Sequence, residues 1–204
     1  MNSALKVFRI IALSLAVMMG SKLFGLFVSD RVLPGGDQEY IASFFYVLVS
    51  SILTALILKL RKKAFENEIS VGRTTVFIFL ILLILAASLV ATSFYEPVNK
   101  AFNSGLYAVI CGAVVEELIF RCIMLCEITS EYGFMKGAVI SSFVFGAMHL
   151  LNVNNAFDMR LLLYVVQAVV FGMILSYVVH KTKGLYIAVI AHVLWNILSI
   201  TVFK

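Results

Sequence analysis

The stretch TVFIFLILLILAASLVATSFY, residues 75–95, decides the fold class. No acidic, basic or imidazole side chain interrupts it. A helix needs roughly 20 predominantly apolar residues to cross a bilayer, and this run is long enough. Reading outward, two similar runs precede it, at 8–29 and 40–60, and four follow, at 103–126, 134–151, 160–180 and 185–203. Turn and charge signals separate them: Pro34-Gly35-Gly36-Asp37, Arg61-Lys62-Lys63, Glu96-Pro97, Glu131-Tyr132-Gly133, the stretch 152–158 and Lys181-Thr182-Lys183-Gly184. The expectation is an all-α polytopic membrane bundle of about seven transmembrane helices, forming one integral-membrane domain over 1–204.

Composition excludes the ordinary soluble class. Of the 204 residues 62% are apolar and 13% charged, against about 25% charged in soluble domains. The mean hydropathy is +1.05. The net charge of +5 is read as membrane topology, not as nucleic-acid binding, because the cations cluster between apolar runs. Lys6, Arg9, Lys59, Arg61, Lys62, Lys63, Arg73, Arg121, Lys136, Lys181 and Lys183 fall on one side. Arg31, Lys100, Arg160 and Lys204 fall on the other, and Lys22 lies inside the first run, where it is expected to snorkel. The excess predicts a cytoplasmic amino terminus and an outer carboxyl terminus. The first run has no small-residue cleavage pattern and is expected to be a retained helix.

Cys111, Cys122 and Cys126 lie in or beside one run, so no disulfide framework is expected. They read as small buried hydrophobes. Gly105, Gly112, Gly137, Gly146 and Gly172 are candidates for close helix contacts.

Ionisable groups inside a bilayer cost about 2.5–3.5 kcal/mol each on insertion scales, so those retained need a reason. The fourth run holds Glu116-Glu117-Leu118-Ile119-Phe120-Arg121, the fifth Phe145-Gly146-Ala147-Met148-His149, and the seventh His192-Val193-Leu194-Trp195-Asn196. Glu117 and Arg121 are four apart and pair on one helix face, a structural lock. Glu116 is turned about 100° from Glu117 and points elsewhere, into a cavity. Phe145 shares a face with His149, and His192 with Asn196. The depths of Glu116 and His192 match, one to two turns from the cytoplasmic side. His149 fits if the fifth helix is shortened or broken. His180, at a basic helix end, reads as interfacial.

In this order the three pieces resemble the CAAX protease and bacteriocin-processing (CPBP or Abi) family of intramembrane endopeptidases. Its pattern is Glu-Glu-x-x-x-Arg, then Phe-x-x-x-His, then His-x-x-x-Asn or Asp. The resemblance spans about 103–200, the catalytic helices, leaving 1–100 as accessory helices. It implies hydrolysis of a peptide bond in a membrane-associated peptide or protein. Glu116 would be the general base, His149 would position water, and His192 with Asn196 would stabilise the oxyanion. Glu117, Arg121 and Phe145 would support them. A carboxylate in a low-dielectric pocket can serve as a general base near neutral pH, and neutral donors gain strength where water is excluded. On this reading no cofactor is required. The alternative is a zinc site of Glu116, His149 and His192 with a fourth place for water. Short loops suggest a bacterial plasma membrane, with the site open to the cytoplasmic side and lipid as a further partner. A non-proteolytic immunity or scaffold protein and a small proton-coupled transporter are the competing functions.

Overall fold

A computed structural model describes residues 3–32, 38–94, 100–152 and 159–202. The signals at 33–37, 96–97 and 153–158 lie outside the described residues. Among those described, the secondary structure is helical throughout. The helices are α1 (Ser3–Val32), α2 (Gln38–Leu60), α3 (Lys62–Phe65), α4 (Val71–Phe94), α5 (Lys100–Glu117), α6 (Cys126–Tyr132), α7 (Phe134–Met148), α8 (Met159–Thr182) and α9 (Leu185–Val202). A π-helical segment, Leu118–Leu125, joins α5 to α6, and a 3₁₀ turn, His149–Asn152, follows α7. Seven helical runs result: α1, α2, α4, the composite α5–π–α6, α7, α8 and α9.

Among the described residues four helices are long and apolar enough to cross a membrane: Ser3–Arg31, Gln38–Leu60, Val71–Ser88 and Leu161–Thr182. Phe134–Met148 and Leu185–Ser199 are shorter apolar helices. The protein is an integral membrane protein. Large apolar side chains face outward along these helices, among them Phe8, Leu23, Phe79, Leu83, Leu163 and Ile174. In lipid such a surface needs no cover, because helices satisfy their own backbone groups.

The π segment is the centre of the bundle: every one of its side chains is buried. α1, α2, α5, α7, α8 and α9 all pack on it or on each other around it. Small residues permit the approach. On α1 the buried Ser14, Ser21, Gly25 and Ser29 form a stripe, and α2 likewise buries Ser50, Ser51 and Thr54. A Cβ on Gly25 would collide with the Ala42 carbonyl. Likewise Gly146 has no room beside Val165 and Val169 of α8, nor Gly137 beside Thr129 of α6. Gly105 and Gly112 differ from expectation: nothing lies within 4 Å of a Cβ at either, so they do not mediate a close helix contact.

Helix ends carry their own reasons. Gly133, with φ 83°, ends α6 in a conformation that suits glycine and turns the chain into α7. The basic end of the bundle is tied by ion pairs. Arg61 forks onto Glu127 at 2.8 and 2.7 Å, and Lys6 meets Glu131 at 2.9 Å. The Glu127 carboxylate raises the Arg61 guanidinium above its usual range.

Candidate active site

Three separate helical runs place the candidate residues. α5 ends in Glu116 and Glu117, the π segment carries Arg121, α7 ends at Phe145 and His149, and α9 carries His192 and Asn196. The composite helix continues to Tyr132, so Arg121 is not an interfacial cation as the topology count took it. It is fully buried. The fifth run breaks as the depth argument required: α-helix stops at Met148 and His149 opens a 3₁₀ turn.

Glu117 is the hub. Its Oε2 lies 3.4 Å from Arg121 Nε, and its Oε1 accepts from His192 Nδ1 at 2.9 Å. All three side chains are buried or nearly so. The lock expected between Glu117 and Arg121 is present, but it also holds the His192 imidazole, which spacing alone did not indicate. Donating from Nδ1 turns His192 so that Nε2 faces Glu116 Oε2, 3.5 Å away. The two adjacent glutamates therefore grip one imidazole from its two nitrogens.

Phe145 joins the motifs sterically. Its ring centroid is 4.7 Å from that of His149, 5.8 Å from His192 and 5.2 Å from Phe120. The Arg121 guanidinium sits over the same ring at 4.6 Å, a cation–π contact in a dry site. Gly172 of α8 leaves the guanidinium room: a Cβ there would be 3.2 Å from Arg121 Nη2 and 3.1 Å from Ser142 Cβ. His149 Nδ1 donates to the Phe145 carbonyl at 2.9 Å, which leaves Nε2 as the nitrogen with a free lone pair.

Two cavities meet at Phe145 and His149. The larger, ≈ 800 Å³, lies among α1, α2, α5 and α7. Glu116 and His149 line its inner part, with Tyr46 and Lys22. It extends toward the end of the bundle bearing Asp30, Gln38 and Glu39. Lys22, in the first run, lines this cavity. The smaller, ≈ 30 Å³, is lined by His149, His192 and Asn196 with Tyr164, Gln167 and Phe171 of α8. That volume is about the share of one liquid water, and the lining offers polar partners. Asn196 is thereby brought to both histidines, while Glu116 lies on the larger cavity.

Asp30 and Glu39 stand at the opposite ends of α1 and α2 from Lys6 and Arg61, so the larger cavity runs toward the end of the bundle away from those two cations.

Several contributors escaped the sequence reading. Tyr164 is 5.2 Å from His149, centroid to centroid, and Phe171 is 5.6 Å from His192 and stacks on Trp195 at 5.3 Å. Tyr164, Gln167 and Phe171 recur at i, i+3 and i+7, and an amide in an apolar run was the available signal.

A family model described as "Type II CAAX prenyl endopeptidase Rce1-like" matches residues 98–198. The chain belongs to this family. No curated protein and no solved structure matches it. The Rce1-like match contains all three motifs and the whole of both π and 3₁₀ segments, and it starts beyond α1, α2 and α4. The Rce1-like family is a family of proteases, so the chain is a membrane-embedded member of a hydrolase family.

Among the described residues no group of three or more His, Cys, Asp or Glu side chains is placed to hold a metal ion. Glu116 and His192 Nε2 approach each other, but His149 does not complete the set. The three cysteines are free thiols and buried, as expected of small apolar side chains.

Proposed function

We propose that this protein is an intramembrane endopeptidase that cleaves a membrane-associated peptide or protein with water activated by Glu116. The observation that supports this best is the contrast between the two glutamates. Glu117 is spent on holding Arg121 and His192, whereas the Glu116 side chain remains 29% accessible and lines the large cavity.

The chemistry follows from these positions. A water in the cavity gives a proton to Glu116 while its oxygen attacks the scissile carbonyl carbon. The carbonyl electron pair moves onto oxygen. His149, with Nε2 able to accept, orients the water. The Asn196 amide is the neutral donor for the oxyanion, and His192, its Nδ1–H held by Glu117, donates from Nε2 in its protonated form. As the C–N bond breaks, Glu116 returns the proton to the leaving amine, so the site ends as it began. Phe145, Tyr164 and Phe171 exclude bulk water from this step.

The proposed route is metal-free, with zinc held by Glu116, His149 and His192 as its alternative. Substrate is proposed to enter from the end bearing Asp30 and Glu39, which the lysine and arginine distribution sets away from the cytoplasm. Both are tested on detergent-solubilised protein and on cells. Cleavage by wild type, lost in Glu116→Gln and indifferent to chelator, is the expected result. Zinc at one equivalent, lost together with activity, would overturn the metal-free route. A cysteine introduced at Asp30 should react with an impermeant maleimide from outside intact cells. Labelling only in inverted membranes would reverse the entry side.

A further inference from the structure

Lys22 is a cation deep in the accessory half of the bundle, where the family match does not reach. It lines the same cavity as Glu116. From Lys22 to Val32, the end of α1, is ten residues, roughly 15 Å at 1.5 Å per residue. A lysine side chain cannot cover that distance, and Lys22 is exposed along the cavity that it lines.

The packing register fixes its level. Gly25 meets the backbone of Ala42 and Tyr46 on the antiparallel α2. Lys22 lies three residues further inward than Gly25, about 4.5 Å along the axis. That is within one turn of Tyr46, which lines the cavity together with Glu116. Asp30, eight residues toward the mouth, is roughly 12 Å up the helix. No described residue forms an ion pair with Lys22. The cavity therefore presents a cation that shares its lining with Glu116 and has no ion-pair partner among the described residues.

Resting on the peptidase reading above, we propose that Lys22 is a specificity-determining residue that binds a carboxylate of the substrate. The gap between Lys22 and Glu116 is filled by extended substrate at about 3.3 Å per residue. The preferred peptides then carry their anionic group a few residues from the bond that is cut. The carboxylate comes from a free carboxyl terminus or from an acidic side chain, and the same amine recognises either. Asp30 and Glu39 at the mouth disfavour a peptide that is acidic along its length, so a single anionic group is selected.

The test uses the full chain in detergent and a fluorescent decapeptide library of apolar and hydroxyl residues in three forms. One has a free carboxyl terminus, one an amidated terminus, and one an amidated terminus with a single glutamate. Binding is measured on Glu116→Gln and cleavage on the otherwise native protein, each with and without Lys22→Met or Lys22→Arg. The expected result is about tenfold tighter Kd or lower KM for an anionic form. Lys22→Met abolishes that preference and Lys22→Arg keeps it. The form preferred identifies terminus or side chain. The comparison among library forms on unmodified Lys22 protein stands even if Lys22→Met fails to fold. Cleavage with equal KM for all three forms overturns the inference and leaves the Glu116 reading intact. Discrimination in binding with no cleavage does the opposite. Neither binding nor cleavage overturns both.

Discussion

Glu116 and Glu117 are neighbours in the chain and opposites in the fold. Behind Glu117 lies a dry region: Arg121, Phe145, Ser142 and Gly172 are all buried there. In front of Glu116 lies a cavity of ≈ 800 Å³. His192 spans the boundary, held at 2.9 Å by the first region and presented at 3.5 Å to the second. The difference teaches that one pair of carboxylates serves two ends. The dry glutamate fixes the imidazole at the cost of desolvation, offset by a nearby cation and a strong hydrogen bond. The cavity glutamate stays unpaired enough to take a proton.

The largest break in this comparison is Glu116→Gln. Cleavage should fall by about 10²–10⁴-fold, the usual worth of a general base, while the thermal transition in detergent moves little. A peptide assay beside differential scanning fluorimetry checks both halves. Unchanged turnover would remove Glu116 from the role of base.

Next comes the dry side. Arg121→Met leaves Glu117 buried without its cation, and should cost about 3–5 kcal/mol of stability as well as activity. Replacing both partners, Glu117→Leu with Arg121→Met, should cost less than the sum of the single changes. It should still impair catalysis, because His192 loses its anchor. A melting series on the four proteins reads this coupling. Strict additivity would mean the two side chains do not act as a lock.

A smaller effect sharpens the contrast through glycine. Gly172→Ala pushes a methyl against Arg121 and Ser142 and should destabilise by about 1–3 kcal/mol. Gly112→Ala meets nothing within 4 Å and should leave the melting transition in place. Equal shifts in the two variants would contradict the packing described around Arg121.

The smallest effect is expected at the rim. Arg61→Ala removes an ion pair whose arginine is 45% exposed. It should cost no more than about 1 kcal/mol and leave cleavage unchanged. A loss comparable to that of Arg121→Met would show that exposure is a poor guide to the worth of these pairs.

Run length and apolarity alone determined that this chain is a helical membrane bundle, because only a helix can carry an uninterrupted apolar run through lipid with its backbone satisfied. The scarcity of interior charge likewise singled out Glu116, Glu117, Arg121, His149 and His192, since each must repay its insertion cost. Helical spacing was enough to separate the two glutamates and to pair Glu117 with Arg121. Tertiary structure decided the rest. It bound His192 to Glu117 across 75 residues of chain, a contact between helices that no local period encodes. It brought Tyr164, Gln167 and Phe171 of α8 to the histidines, set Gly172 but not Gly112 against a neighbour, and turned the cavity toward Asp30 and Glu39 instead of the basic end. Periodicity tells which residues share a face. Which helix that face meets, and where space remains between them, is set by the packing of all the helices at once.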